Sequence, residues 1–196
     1  MKKLIYAFFL MAMTVGFGAS SASAQMDNKM DSKMSNGNPM VGGAAMFKNK
    51  NIVENAMNSS DHTTLVAAVK AAGLVETLQG KGPFTVFAPT NMAFSALPAG
   101  TVDTLLMAEN KAMLTNVLTY HVVAGNMDSK KIMKAIKKGN GKAMMKTVAG
   151  GMLTASMDGK TLVLTDEKGG MSRVTIANVK QSNGVIHVVD TVLMPN

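Results

Sequence analysis

The sequence NGVIHVVDTVLMP, residues 183–195, is almost entirely aliphatic around a single histidine, His187. Apolar residues occupy both alternating sets of positions: Val185, Val189 and Leu193 on one side, and Ile186, Val188 and Val192 on the other. A strand that is apolar on both faces is typical of the interior of a sheet. The pattern therefore predicts a buried strand, with His187 as a hydrogen-bonded core residue rather than a catalytic base or a metal ligand.

Upstream of this strand, the two halves of the chain carry different patterns. Helical periodicity and capping residues prevail from Asn51 to about Gly141, interrupted by two short strand patterns. Those strands are FTVFAP (84–89) and YHVVAG (120–125). The helix DHTTLVAAVKAAG (61–73) is expected to begin at Asp61 as its N-cap and to end at Gly73.

After Gly141 the sequence consists of short β-rich runs separated by turn pairs. The turn pairs are Gly150-Gly151, Asp158-Gly159, Gly169-Gly170 and Asn183-Gly184. Strands at this spacing predict an antiparallel meander. Because helices precede strands instead of alternating with them, the predicted fold class is α+β, with a β-sheet packed against several helices.

The N-terminus has the pattern of an export signal. A lysine pair precedes a long apolar stretch, and Ala22-Ser23-Ala24 provides a small-x-small cleavage site, so residues 1–24 are predicted to be a signal peptide. No later segment has the length or apolarity to span a bilayer. The chain has no cysteine, which excludes a lipid-anchored N-terminal cysteine and any disulfide. The expected location is the periplasm, the cell surface or the exterior, without an integral membrane segment after cleavage.

Residues 25–45 are polar, glycine-rich and methionine-rich, and are predicted to form a disordered linker before a domain at 46–196. A chain that starts near Met46 is therefore expected to melt at nearly the same temperature as the mature protein.

The charge balance and composition exclude several classes of function. The chain carries 20 basic and 12 acidic residues, but Arg173 is its one arginine, and it has no tryptophan. Arginine and stacked aromatics are the usual means of gripping nucleic acids, so nucleic-acid binding is not expected.

No motif for catalysis or metal binding is present. There is no G-x-S-x-G element, and the three histidines lack zinc-ligand spacing. Gly141-Lys142 does not complete a phosphate loop, because Ile136 and Ala143 replace the required glycine and hydroxyl residue. The sequence predicts neither an enzyme nor a cofactor or metal site.

Three segments in order resemble the fasciclin I (FAS1) domain family. TVFAPTNMAF (85–94) is similar to its first signature, TYHVVAG (119–125) to its central Tyr-His element, and NGVIHVVDTVLMP to its second signature. The resemblance covers about residues 48–195. It implies a wedge of β-sheet packed with helices and a non-enzymatic extracellular module for adhesion or matrix association.

The resemblance also marks a set of motif residues that are expected to be mainly structural. They are Thr85, Phe87, Pro89, Thr90, Asn91, Phe94, Gly184, His187 and Asp190. Animal adhesive members of the family carry an Asp-Ile pair before the second signature, where this chain has Asn178-Val179. Integrin-type attachment is therefore not expected.

Two alternatives remain for the central element. Tyr120 and His121 form either an exposed recognition pair or polar fasteners in the core. His62, which follows Asp61, is expected on the surface.

A lysine-rich helix supplies a candidate for partner binding. Residues 129–146 contain seven lysines, and on a helix Lys130, Lys134 and Lys138 lie opposite Ile132 and Ile136. This face is either an ordinary solvated surface or a docking surface for anionic polysaccharide, lipid head groups or another protein.

Methionine is unusually frequent, with 20 in the chain. Met26, Met30, Met34 and Met40 lie in the predicted linker, where they cannot serve as core filler. Thioethers bind Cu(I) and react with oxidants. The alternative function is therefore a soft-metal or oxidant buffer.

Overall fold

The computed structural model describes residues 37–196. The predicted signal peptide and residues 25–36 of the predicted linker lie outside the described residues.

Within residues 37–196, seven α-helices all lie before residue 139. They are α1 (Ile52–Ala56), α2 (Thr63–Ala72), α3 (Val75–Gln79), α4 (Asn91–Ser95), α5 (Thr101–Leu106), α6 (Lys111–Tyr120) and α7 (Ser129–Lys138).

Local sequence explains the start of α1 and the end of α2. Asn51 accepts a hydrogen bond from the Glu54 backbone N–H (2.9 Å), and the Glu54 carboxylate accepts one from the Asn51 N–H (2.7 Å). This capping box satisfies two N–H groups that have no partner inside α1. Gly73 ends α2 as predicted, with a φ of 74° that glycine adopts without steric cost.

The start of α2 differs from the prediction. Residues 60–62 form a 3-10 turn, so α2 begins at Thr63 and Asp61 does not cap it. Instead the side-chain oxygen of Asn91 accepts from the Thr64 N–H (3.0 Å). The cap comes from 27 residues away, a distance over which helix-start patterns carry no information.

The same residues contain nine strands, of which two precede the helices, two lie between helices and five follow them. They are β1 (Met40–Val41), β2 (Ala44–Ala45), β3 (Phe84–Pro89), β4 (Val122–Ala124), β5 (Lys142–Lys146), β6 (Met152–Asp158), β7 (Thr161–Thr165), β8 (Met171–Gln181) and β9 (Gly184–Val189). The predicted strand at 120–125 is shorter than expected, because Tyr120 completes the last turn of α6.

All strands except β1 and β2 form one sheet, in the order β4-β3-β9-β8-β7-β6-β5. Strands β5 to β9 pair antiparallel with their sequence neighbours, as the turn pairs predict. The β3–β9 pair is parallel, with Phe87 beside His187. An isolated bridge between Val123 and Thr147 brings the two end strands together, so the sheet is nearly closed. The α+β fold class is confirmed.

Two apolar clusters lie on the two faces of this sheet. Helices α1, α2 and α6 cover the face that carries Val86, Ile186 and Val188. The other cluster fills the inside of the curved sheet, where α7 inserts Ile132 and Ile136. Strand β9 is buried along its whole length because it separates the two clusters.

The ordered part of the domain begins before residue 46, which corrects the predicted linker boundary for residues 37–45. Strands β1 and β2 form a hairpin that buries Val41 (3% exposed). The Gly42 carbonyl accepts from the Ser60 backbone N–H (3.1 Å) and hydroxyl (2.8 Å). Gly42 has a φ of 55°, and a side chain there would collide with residues 59–61. The hairpin is therefore part of the packed domain.

Deleting residues 1–45 should lower stability, whereas deleting residues 1–36 should leave it unchanged. The longer deletion removes the buried Val41 side chain, which contributes about 1.5–3 kcal/mol. In a domain of this size, a loss of that order lowers the melting temperature by roughly 5 °C. Thermal melts of the two shortened chains test this, and equal melting temperatures would show that the hairpin does not stabilise the domain.

Candidate binding surface

Helix α7 is fixed at its N-terminus by two side chains. Asp128 accepts from the Lys131 backbone N–H (2.8 Å), and the Asn178 side chain accepts from the Ser129 N–H (2.7 Å). The Asn178 amide also donates to the Ser129 hydroxyl (2.7 Å). Asn178 lies at a bulge of β8 with a φ of 64°, a conformation that asparagine tolerates better than most residues. Asn178 thus fastens α7 to the sheet.

Lys130, Lys134 and Lys138 all lie on the exposed side of α7, opposite Ile132 (0% exposed) and Ile136 (4%). At 1.5 Å per residue they form a row about 12 Å long. We call these three residues the α7 lysine row.

Positive charge predominates in this region, where the Asp128 carboxylate that caps α7 is the nearest acidic group in the sequence. Residues 129–157 contain seven lysines and no Asp or Glu. Among residues 37–196, the one ion pair joins Arg173 to Asp158 (3.3 Å). Adjacent like charges on a helix repel each other, so the α7 lysine row has an unbalanced potential that an anionic partner would neutralise.

Tyr120 and His121, assigned to partner binding by one of the two alternatives, are buried (0% and 3% exposed). The Tyr120 hydroxyl donates to the Met152 carbonyl (2.8 Å) and accepts from the Glu167 N–H (3.2 Å). Burial raises the pKa of Tyr120 above its usual value. These residues therefore fasten α6 to the second half of the sheet, and the recognition-pair assignment is corrected.

The contacts of His121 fix which ring nitrogen carries the proton in the neutral form. Its Nε2 accepts from the Leu193 backbone N–H (3.0 Å), which leaves Nδ1–H to donate to the Val117 carbonyl (2.8 Å). Burial lowers the pKa of His121 to about 4, although the Val117 carbonyl favours the charged form. The ring is held as a neutral imidazole.

His187 is fully buried and links three parts of the core. Its Nε2 lies 2.9 Å from the Met127 carbonyl oxygen, and its ring stacks on Phe87 with a centroid distance of 5.6 Å. Burial lowers the pKa of His187 from its usual value, opposed by the Met127 carbonyl. This geometry gives His187 neither solvent access nor a neighbouring nucleophile.

The other motif residues also make structural contacts. The Thr85 hydroxyl donates to the Gly125 carbonyl (2.6 Å), and Thr90 caps α4. Phe87 and Pro89 lie in β3, and Phe94 is buried (6% exposed).

The second signature contributes two further contacts. The backbone of Gly184 lies so close to Phe84 that a side chain at position 184 would clash. The Asp190 carboxylate accepts from the Arg173 N–H (2.8 Å).

His62 is buried (3% exposed), not on the surface as expected. Its Nδ1 lies 2.8 Å from the Ser59 hydroxyl, and its Nε2 has no hydrogen-bond partner within residues 37–196. Burial lowers the pKa of His62, while the Ala88 carbonyl and Asp61 act against the shift. The hairpin residues Val41 and Met46 line a small cavity beside it.

The apolar space between the helices and the sheet is too small for a bound ligand. An apolar cavity of about 40 Å³ lies between the helices and the sheet, lined by Ile52, Leu65 and Val69 among others. A cavity of about 150 Å³ is needed to admit benzene. Within residues 37–196 no group of three His, Asp or Glu side chains could hold a metal ion, and no helix is long and apolar enough to cross a membrane.

Comparison with known proteins identifies the family. The Fasciclin domain model matches residues 60–195. The chain belongs to the fasciclin domain family. A relative of this fasciclin chain, Protein sll1483 of Synechocystis sp., is 46% identical over 157 residues, which cover 80% of this chain and 79% of the relative.

Two further similarities extend the comparison. Immunogenic protein MPB70 of Mycobacterium bovis is 37% identical over 145 residues, covering 71% of this chain and 66% of the relative. The solved FAS1 domain pair of the insect cell adhesion molecule Fasciclin I matches with a TM-score of 0.66 at 16% identity. That match covers 74% of this chain and 51% of the solved chain, and it shows a shared fold.

Proposed function

We propose that this fasciclin domain is an exported, non-enzymatic binding module that attaches to an anionic polysaccharide of the cell surface or matrix. The α7 lysine row is the observation that supports it most directly. The row is exposed on a helix that is fastened at its N-terminus, and no carboxylate pairs with its lysines within residues 37–196. Similarity to a cell adhesion molecule supports the same class of function.

The chemistry of the row suits a long flexible polyanion. Lysine ammonium groups act as point charges with no fixed fork geometry, so they favour charge density over a particular planar group. Many weak contacts along a polymer give useful attachment even though each exposed pair contributes little. The motif residues Tyr120, His121 and His187 have no place in this surface, because they are buried.

Charge reversal of the row, in K130E/K134E/K138E, should weaken binding to alginate by about tenfold while leaving the melting temperature nearly unchanged. Binding by the parent protein should also fall as salt rises, since the Debye length is only about 8 Å at physiological ionic strength. Retention on alginate, compared with neutral dextran, measures both effects.

A matched control separates position from net charge. Lys81, Lys160 and Lys168 are exposed elsewhere on the domain, and K81E/K160E/K168E makes the same change in net charge. An equal loss in this control would contradict a role for the α7 lysine row. If alginate is not bound at all but Cu(I) is taken up stoichiometrically, and the uptake is lost in M26L/M30L/M34L, the soft-metal buffer is the better function.

A further inference from the structure

The outer face of strands β5 to β8 presents a second surface, made of other residues than the α7 lysine row. Pairing places Met144 beside Thr154, Thr154 beside Thr165, and Thr165 beside Met171 in one row across four strands. Lys142 and Lys146 flank Met144 on the same side of β5, because residues two apart share a face. We call these six residues the outer sheet face.

The opposite side of the same strands is where α7 packs. Ala143 and Met145 of β5 join Ile132 and Ile136 of α7 in the inner cluster. Side chains alternate along a strand, so Met144 points away from α7. At the turn between α7 and β5 the two surfaces adjoin, because Lys138, Lys142 and Met144 line one groove. Substitutions of the methionines leave the charge of both surfaces unchanged, so they test the outer sheet face separately from the α7 lysine row.

Exposed apolar groups are combined with cations on this face. Met144 and Met171 are 69% and 61% exposed, and Val148, just beyond β5, is 49% exposed. Single exposed apolar residues are common and need no explanation. Here, however, cationic and apolar side chains alternate as Lys142, Met144, Lys146 and Val148, and the two methionines lie about 14 Å apart at the ends of one row.

The acidic groups near this face are already engaged. Asp158 pairs with Arg173, and the Glu167 carboxylate accepts from the Met152 N–H (2.9 Å). Neither forms an ion pair with Lys142 or Lys146, which are both exposed. The face therefore combines free positive charge with protruding thioethers.

This combination matches the surface of an anionic bilayer. Lysines attract anionic head groups at about 1 kcal/mol each near the surface, and apolar side chains gain by entering the boundary with the acyl chains. A soluble polyanion would use the cations but would leave Met144 and Met171 in water. A two-fold contact between copies of this chain would bring two sets of the same cations into one interface, which is unfavourable.

We infer that the outer sheet face adsorbs to membranes rich in anionic phospholipid, with Lys142 and Lys146 contacting head groups and Met144 and Met171 entering the interface. The fasciclin domain would then contact an anionic polysaccharide and a lipid surface through two adjoining sets of residues. The inference does not depend on the polysaccharide, because it concerns different residues.

Sedimentation of the chain from residue 25 onward, the form expected after signal cleavage, with large vesicles provides the test. The protein should sediment with vesicles of phosphatidylcholine that contain about 30 mol% phosphatidylglycerol, and it should stay in solution with vesicles of phosphatidylcholine alone. Met144→Gln/Met171→Gln preserves net charge and should lower the partition coefficient about tenfold by removing two apolar groups. Its melting temperature and its retention on alginate should match those of the parent.

The matched control changes methionines elsewhere. Met92 and Met113 are 81% and 56% exposed on α4 and α6, and M92Q/M113Q should bind vesicles like the parent. The parent and both double variants share residues 25–36. If the protein bound vesicles through those residues, all three would bind equally well, and that result would overturn the inference. Equal losses in both double variants would also overturn it. So would concentration-dependent self-association that is abolished by M144Q/M171Q in the absence of vesicle binding, since the face would then be a protein interface.

Discussion

Lowering the pH from 7 to 5 should destabilise the domain by at least about 2 kcal/mol, before its carboxyl groups begin to titrate. His121 is the main cause. Its pKa is about 4 in the folded protein, compared with 6.5 for an ordinary histidine. Between these values the unfolded chain binds a proton that the folded chain does not, so stability falls as the pH falls. Across the whole window the loss from His121 alone is about 3 kcal/mol.

His62 and His187 also make the stability fall as the pH falls, because burial lowers both pKa values. All three histidines of the chain thus favour the folded state only while they remain neutral. Urea unfolding at pH 7, 6 and 5 measures the effect. His121→Gln removes the titrating group, so this variant should be less stable at pH 7 but show a shallower pH dependence. A parent protein whose stability is unchanged from pH 7 to 5 would show that His121 can be protonated without loss of its contacts.

Replacing His187 with alanine should cost about 2–4 kcal/mol, the second large effect. The substitution leaves a cavity against Phe87, because the two rings are stacked. It also removes the polar partner of the Met127 carbonyl, which lies 2.9 Å from Nε2. Urea unfolding at pH 7 gives the free energy of unfolding of both proteins.

The comparison with His187→Gln separates the two causes. Glutamine keeps a side-chain amide that can donate to the Met127 carbonyl, so the loss should be smaller than for alanine. Alginate retention by the folded fraction should be unchanged in both variants, since His187 is distant from solvent. A His187→Ala variant that remains as stable as the parent but no longer binds alginate would place His187 in a binding site.

The sequence was sufficient to predict the helices and strands that are determined by residues close together in the chain. Asp128 and Ser129 open a run in which Ile132 and Ile136 recur on one side, and α7 forms with those residues inward. The exposure of Lys130 and Lys138 follows from the same period. The paired turn residues likewise predicted the meander from β5 to β9. Each of its strands pairs with its neighbour in the sequence, so the short turn between them determines the pairing.

Contacts between distant parts of the chain could not be predicted in this way. Asn91 caps α2, and Gly42 fits against residues 59–61 only because tertiary packing brings them together. The hairpin that buries Val41 has the composition of a linker, so its order comes from the surface beneath it. The parallel pairing of β3 with β9 joins strands that are about a hundred residues apart.

Buried polar residues were the least predictable part of the candidate site. Residue type alone does not reveal that His121 accepts from Leu193, 72 residues later. The same holds for Tyr120, whose hydroxyl reaches the Met152 carbonyl and the Glu167 N–H. Exposure depends on whether such partners exist, so the sequence left both an exposed and a buried alternative for this pair.

The bridge between Val123 and Thr147 affects how many copies of this domain can be crowded together. Sheet edges with unpaired backbone groups recruit strands from other molecules and start aggregation. Here the two end strands, β4 and β5, approach each other at that bridge, and the free part of β5 carries Lys142 and Lys146. Lysines on an edge repel the edge of an identical neighbour. The bridge and these lysines therefore disfavour strand exchange between copies of the domain at high local concentration, which would otherwise make the protein insoluble.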